Sequence, residues 1–429
     1  MIRPTKYNQY VWCLFDWART VWPVLIITFV FPNYFSKQVA ETALQGDVYW
    51  ANIMVISGIL TAVLAPFIGL IADTIGKTML WLRLFTLINV ACAFGLWFVE
   101  PNPSFITLAM TLVIIGTIGF EISGAFYNSI LMQVTKPAQL SRLSGIAWGL
   151  GYISGICCLI LCLTILVLPD EPLFGYITKD LAQHIRIIGP VVGGYYLLFA
   201  SPLMLLSDND TPNDSPPLYM IAKSAYQKLI QSIYKAKKQP YIFWFLVYRM
   251  IYTDGINTLF GFAGLYAGTA FGMDLYEIMY FGVACNLTAG LGCFIASYSD
   301  SIIGEQKTIL ISLFALTLFL LILLMVDSIF FFWVYALIAT VFIGPLQTSS
   351  RSLMAKITPE ESKGEFFGLY ALSGRVTSFI GPFLYGSATK LTGSETIGMS
   401  TITIFLVIGF IGMSRLVIPV HIILPKETD

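Results

Sequence analysis

Apolar residues along this 429-residue chain come in long, nearly unbroken runs. Neither the strict alternation of a half-buried strand nor the spaced stripe of a surface helix describes them. Twelve runs come close to or exceed the roughly 20 apolar residues that a bilayer-crossing helix needs. They cover approximately 9–33, 48–72, 79–98, 104–134, 142–168, 186–206, 240–270, 275–297, 307–326, 328–356, 365–392 and 395–418. Most connections are short. The exception lies between Ser207 and Lys238 and leaves six runs on each side. The pattern predicts an all-α membrane protein of twelve transmembrane helices. Two six-helix bundles, 1–206 and 239–429, flank a linker over 207–238.

The linker opens with a run of turn residues, Asp208 to Pro217. It continues with Ile221, Ala222, Ala225, Leu229 and Ile233 at helical spacing, among Lys223, Lys228, Lys235, Lys237 and Lys238. Such a stretch reads either as an amphipathic helix lying on the cytoplasmic leaflet or as a solvated linker helix. Orientation follows from the loop cations. With the N-terminus inside, fifteen face inward: Arg3, Lys6, Lys77, Arg83, Lys136, Arg142, the five linker lysines, Lys307, Lys356, Lys363 and Lys426. Only Lys37, Lys179, Arg186 and Lys390 face outward. Both termini are therefore expected in the cytoplasm, as an even number of spans requires.

Composition agrees: 57% of residues are hydrophobic and 11% charged, against roughly 45–50% and 25% in soluble domains. A net charge of zero gives no reason to expect a nucleic-acid partner. The N-terminus lacks a signal-peptide pattern, so the first span is expected to act as its own insertion signal. The termini are short, and no soluble catalytic domain is expected. All seven cysteines lie in apolar runs and the two histidines, His184 and His421, near helix ends, so no metal site, His-based catalysis or cofactor is expected. An integral-membrane enzyme would need a nucleophile–base or metal constellation, and none is visible.

What remains to carry function is the set of polar residues inside the spans, because a charge at the bilayer centre costs about 2.5–3.5 kcal/mol even on insertion scales. In the first span, Asp16 and Arg19 are three apart and share a helix face. Asp16 reads as a proton acceptor or a partner for a substrate ammonium, or else as the structural mate of Arg19. Arg19 reads equally as a carboxylate clamp or as a neutraliser. Glu121 is mid-span with no basic neighbour at helical spacing, which suits reversible protonation; a neutral, hydrogen-bonded acid between helices is the alternative. Tyr127 and Asn128 follow it and offer donors either to substrate or to a neighbouring helix. In the seventh span Arg249 and Asp254 are five apart, while Asp254 and Asn257 share a face and read as site or gate residues. Arg375 lies deep in the eleventh span and is a second cation for an anionic substrate. Trp148, Tyr152 and Tyr370 are candidate cavity aromatics, against a background of aromatics that serve packing and the membrane interfaces. Arg351 and Glu365 flank one short loop and read as a gate or packing network.

The two halves repeat. Gly69-Leu70-Ile71-Ala72-Asp73-Thr74-Ile75-Gly76-Lys77 follows the second span, and Ala296-Ser297-Tyr298-Ser299-Asp300 with Gly304-Glu305-Gln306-Lys307 follows the eighth. Gly145 and Gly151 match Gly368 and Gly374 at one offset. Parallel six-helix repeats about an axis along the membrane normal characterise major facilitator transporters. The Gly69–Lys77 loop resembles that superfamily's cytoplasmic loop, a resemblance that implies gate roles for Asp73 and Lys77; Asp300 and Lys307 hold the matching positions. Several stretches resemble one branch, the vacuole effluxer-like (autophagy-related twenty-two-like) family. They are Trp12 to Ala18, Phe126 to Ser129, Ser144 to Tyr152, Tyr252 to Thr258, Gln347 to Arg351 and Gly364 to Arg375. The resemblance covers essentially the whole chain and implies a twelve-helix transporter; in fungi the family is associated with amino-acid efflux from vacuoles. It usually has Asn and a small residue after Asp-Trp-Ala, where this chain has Arg19-Thr20. A fixed cation there points to a more anionic substrate or to an internal ion pair.

The expected protein is thus a proton-coupled secondary transporter working by alternating access, with Glu121 and Asp16 as proton carriers. Its substrate is a small polar metabolite, an amino acid or related organic anion. Polycarboxylates or carboxylate siderophores are the alternative cargo, and a non-transporting sensor on the same fold is the alternative of another class. It is expected as a monomer in the lipid bilayer of a bacterial cytoplasmic membrane.

Overall fold

The computed structural model describes residues 4–75, 78–135, 140–206, 230–359 and 363–419. All regular structure among them is helical. In the N-terminal half the helices are α1 (Lys6–Arg19), α2 (Ala43–Ile75), α3 (Thr78–Gly95), α4 (Ile106–Val134), α5 (Leu140–Cys162) and α6 (Ile188–Met204). The C-terminal half has α7 (Pro240–Ala270), α8 (Leu275–Ile303), α9 (Glu305–Leu323), α10 (Ile329–Val341), α11 (Ile343–Ile357), α12 (Lys363–Ser373), α13 (Ile380–Thr392) and α14 (Glu395–Ser414). Helices α10 and α11 run on through Phe342 as one element. We call the bundle end that carries the first residues of α1 the terminal face and the opposite end the distal face.

Thr5 caps α1 by accepting the Asn8 amide at 3.2 Å. Beyond Arg19 the chain stays helical to Val39, but with wide π-type turns over Trp22–Phe29 and Phe35–Val39. Pro23 and Pro32 lack the amide hydrogen that a regular ladder needs there. Helix α8 begins with a reciprocal capping box between Asp274 and Glu277.

Ten helices among the described residues are long and apolar enough to cross a membrane. They correspond to ten of the twelve spans expected from the sequence. The seventh expected span is a continuous helix, α7, but it carries Arg249 and Asp254. The eleventh is two shorter helices, α12 and α13. Between them, over 374–379, the ladder tightens into three-residue turns, with Ser378 N bonded to Arg375 O at 3.1 Å and Ile380 N to Thr377 O at 2.8 Å. Of the expected linker helix, residues 230–237 are helical; its earlier part, with Ile221 to Leu229, lies outside the described residues.

Packing within each half is between neighbours in the bundle, for example α3 on α4 and α7 on α14. Between the halves, α2 packs on α13 and α5 on α8. In the twelve-span numbering expected from the sequence these pairings join the second span to the eleventh and the fifth to the eighth, so one maps onto the other. Small residues let the backbones meet. A Cβ on Gly386 would lie 2.5 Å from the Ala51 Cβ, and one on Gly58 would lie 3.0 Å from the Phe379 Cβ.

Candidate functional site at the seam between the halves

The break between α12 and α13 organises the middle of the molecule, and α7 holds it from both sides. Half-helix ends leave unpaired carbonyls at the C-terminus and unpaired amides at the N-terminus, and they favour a cation and an anion respectively. Arg249 serves the first end. Its Nη1 donates to Tyr370 O at 2.7 Å and to Ser373 Oγ at 2.8 Å, and its guanidinium lies 3.5 Å from the Tyr370 ring centroid. Asp254, five residues on and 1% exposed, serves the second: its Oδ2 accepts the Gly381 amide at 3.3 Å. A Cβ on Gly381 would lie 3.2 Å from the Asp254 Oδ1. Asn257, exposed, donates to Gly374 O inside the break at 3.4 Å.

Arg375 projects from this break across the seam. Its guanidinium forms an ion pair with the Glu121 carboxylate and also donates to Glu121 O at 2.9 Å. Both side chains stay partly accessible, at 33% and 28%. Glu121 is therefore not the unpaired carboxylate expected from the sequence. Its partner lies 254 positions away in the other half, which helical spacing within one span does not reveal.

Arg19 turns away from the seam. It is 8% exposed, donates through Nη2 to Phe120 O at 3.2 Å, and lies 4.2 Å over the Phe120 ring. The absence of a side chain at Gly124 makes room for it: a Cβ there would lie 2.8 Å from the Arg19 Cζ. Its closest approach to Asp16 is 4.0 Å, a loose contact. Asp16 also feels Arg351 of the other half, and Arg351 lies 5.5 Å over the Trp148 ring. Trp148 is exposed and tilts against Tyr152 at 6.3 Å. The structure thus joins Asp16, Trp148, Tyr152 and Arg351 into a second cross-seam group nearer the terminal face. Arg351, read from the sequence as part of a gate or packing network, belongs with it.

Other candidates separate from the seam. Tyr127 is 2% exposed and sandwiched between Trp12, at 4.4 Å, and Phe15, at 5.2 Å, inside the N-terminal half. Trp12 Nε1 donates to Tyr127 O at 3.0 Å. This packing makes Tyr127 a core residue, with its ring closed off from the seam. Asn128, next to it, is exposed. Tyr370 is buried under Arg249. Of the expected gate residues, Asp300 accepts from Ser349 Oγ at 2.6 Å within its own half, and Lys307 is exposed. Asp73 and Glu365 lie on α2 and α12, with side chains outside the described set, and Lys77 lies outside the described residues.

Sequence reasoning missed the distal end of the seam. There Asn33 Nδ2 donates to Gly264 O at 3.0 Å and Lys37 Nζ to Met273 O at 2.8 Å, each from one half to the other. Asp47 and Glu395 meet at the same level. Asp47 and Glu395 stand at the edges of apolar runs, where a charge passes for a loop residue.

Helical halves that meet along a seam, a broken helix and an ion pair across that seam fit a transporter of the major facilitator class. Known structures agree. The nucleoside transporter NupG superposes with a TM-score of 0.66 at 11% identity, over 95% of this chain and 98% of that one. The xylose transporter XylE from E. coli, in a partially occluded inward-open conformation, gives 0.66 at 11% identity over 96% and 99%. At such identity these likenesses establish the fold alone. The family model described as vacuole effluxer Atg22 like matches residues 49–137 and 133–421. The chain belongs to this family of transporters. It is similar to the MFS-type transporter YxiO of Bacillus subtilis (strain 168), 24% identical over 96% of this chain and 95% of that one. It is also similar to the autophagy-related protein 22 of Coccidioides immitis (strain RS), 25% identical over 61% of this chain. The match spans 46% of that fungal relative. The relatives named here are transporters, not enzymes.

Proposed function

We propose that the protein is a proton-coupled secondary transporter for small zwitterionic metabolites, amino acids first, working by alternating access. The Glu121–Arg375 pair carries this reading. A neutral amino acid offers the same two charges in one molecule. Its carboxylate takes the place of Glu121 on the Arg375 guanidinium, and its ammonium takes the place of Arg375 on the Glu121 carboxylate. One ion pair becomes two, no net charge is buried, and the ligand still bridges the halves. A polycarboxylate would leave Glu121 facing like charge, and Arg19 is already engaged by Phe120. Asn257 and Asn128 are exposed amides available for further polar contacts.

In this reading α7 and the α12–α13 pair complete twelve crossings in two six-helix bundles, 1–206 and 239–429. The charges in α7 and the break that shortens α12 and α13 are here read as site features rather than as a location outside the membrane. The bias of lysines and arginines places the terminal face in the cytoplasm, the membrane is a bacterial inner membrane, and the protein works as a monomer. An ion gradient acts on the cycle only through different affinities of the two states.

Thermal stabilisation of the purified protein against neutral amino acids, di- and tricarboxylates and carboxylate siderophores tests the reading. A ligand at 100 times its Kd stabilises the folded state by about 2.7 kcal/mol. Neutral amino acids should raise the Tm in the parent protein and lose that effect in both Glu121→Gln and Arg375→Ala. Stabilisation by polycarboxylates alone would replace the zwitterion with the alternative cargo. Ligand binding without flux in proteoliposomes would make the protein a sensor.

A further inference from the structure

The distal end of the seam holds a second pair of acidic side chains, one from each half. Asp47 lies in the opening turns of α2 and is 0% exposed. Its Oδ1 accepts from Ser36 Oγ at 2.6 Å. Ser36 reaches it because Gly46 has no side chain; a Cβ there would lie 2.5 Å from the Ser36 Cα. Asp47 Oδ2 is buried and receives no donor among the described residues. Beside it lies the Glu395 carboxyl from the first residue of α14, within hydrogen-bonding reach and itself bonded by the Thr269 hydroxyl.

We propose that Asp47 and Glu395 form a proton-binding site that latches the distal face shut, one shared proton joining a carboxyl of each half. Asp47 is fully buried and Glu395 half-buried; two carboxylates in contact, one of them shut off from water, do not both ionise, so one proton stays with the pair. That proton supplies the donor that the buried Asp47 Oδ2 lacks, and an unmet buried acceptor would otherwise cost the latch its stability. The surroundings permit this. Lys37 is the nearest cation, but its ammonium is given to Met273 O at 2.8 Å and makes no ion pair within 4.0 Å with either carboxyl. Asp274 and Glu277 of α8 face Lys37 as well. From α7 and α13, Tyr266 and Tyr385 face the pair; Tyr266 contacts Thr396 at 3.3 Å, and the Tyr385 hydroxyl is buried without a partner among the described residues. Lys37 already places positive charge near the pair, which disfavours a metal cation there.

The sign follows directly. The closed distal face holds one proton more than the open one, in which the two carboxyls part, hydrate and ionise. Raising pH therefore opens the distal face, with the closed-to-open ratio falling up to tenfold per pH unit for one proton. This inference rests on the alternating-access reading and adds a proton site distant from the Glu121–Arg375 pair.

The test uses the full chain in lipid nanodiscs with native cysteines replaced by serine. Spin labels go at Glu41→Cys and Leu391→Cys, exposed distal positions on opposite halves, and their separation is measured from pH 5 to 8.5. The expected result is a short distance at low pH and a long one at high pH. Asp47→Asn or Glu395→Gln, each of which supplies a permanent donor, should keep the distance short throughout. Thr269→Val, which removes a donor that favours the ionised pair, should move the midpoint to higher pH; this variant serves if the carboxyl variants do not fold. Parental pH dependence in the two carboxyl variants, or an unmoved midpoint in Thr269→Val, overturns the proposal. So does a distance set by sodium at fixed pH. A distance that responds to an amino acid but not to pH overturns the latch and leaves the transporter reading standing; one that responds to neither sinks both.

Discussion

Replacing Gly264 by alanine tests the closed distal seam directly. The α7 backbone at Gly264 touches the helical extension of α1: a Cβ there would run into the Thr28 carbonyl oxygen, with the Phe29 Cα at 3.1 Å. Both are backbone atoms, so no side-chain rotation relieves the clash. Overpacking of this kind costs about 1–3 kcal/mol. Pushing the segments apart also stretches the Asn33 bond to Gly264 O, now 3.0 Å, worth about 1 kcal/mol. Alanine returns up to about 1 kcal/mol of helix propensity. The net penalty of about 1–3 kcal/mol falls only on the conformation in which the two halves meet here, so the closed population should drop by about 5- to 150-fold relative to an open one. Gly261→Ala is the control one turn away, where a Cβ would meet only the Met54 Sδ at 4.0 Å. It should be neutral or slightly stabilising. Distal distances between labels on Glu41→Cys and Leu391→Cys, together with Tm, give the readout. If Gly264→Ala matched its control in both, the halves would not close against each other at this point, and the distal seam described above would be wrong.

Three further outcomes follow from the packing of single side chains. Arg249→Lys should lower stability by about 1–2 kcal/mol in thermal unfolding, because an ammonium cannot replace both hydrogen bonds and the Tyr370 ring contact; a parental Tm would show that the grip on α12 contributes nothing. Asp254→Asn keeps an acceptor for the Gly381 amide and should stay within about 1 kcal/mol of the parent, whereas Asp254→Leu strands that amide at a cost of about 1–3 kcal/mol; equal Tm values for the two would remove the capping role. Arg19→Gln should cost about 1–3 kcal/mol of stability with no change in which ligand charge is preferred, and a changed preference in the thermal-shift panel would put Arg19 in the site.

The large features of the fold were legible because the bilayer imposes them locally. Length and apolarity of a run depend on nothing elsewhere in the chain, so ten spans reappear as long apolar helices. The seventh and eleventh spans were legible as helices but not as a working pair. Nothing in the spacing of Arg249 and Asp254 says that both grip one broken helix more than a hundred positions away. The Tyr252–Thr258 and Gly364–Arg375 stretches that carried the family resemblance do meet at that break, so the resemblance marked the place without revealing the mechanics. Arg19 shows the reverse. A cation three residues from a carboxylate reads as an ion pair; the structure keeps that pair, loosely at 4.0 Å, and adds the Phe120 carbonyl and ring as closer partners. The helix face could be read; the depth of Gly124 opposite it could not.

The two ends of the seam are built from different materials, and this bears on how the protein cycles. At the distal end the halves meet through glycine backbone, carbonyl bonds and fully buried groups, as at Gly264, Lys37 and Asp47. Contacts of this kind are short-ranged and vanish once the surfaces separate by about an ångström. Toward the middle and the terminal face the crossing contacts are charges and rings with part of their surface accessible, at Glu121–Arg375 and Arg351–Trp148. At Glu121–Arg375 the charge–charge attraction falls only as the inverse of distance, and water or a ligand can take either partner. On the proposed reading a zwitterion enters the middle contact by exchange, whereas the backbone contacts at Gly264 and Asn33 offer a ligand no charge to exchange with. If the protein alternates access as proposed, the distal end needs a signal of its own. On the transport reading proposed above, one proton at the Asp47–Glu395 pair would supply that signal and cargo would act at the Glu121–Arg375 pair.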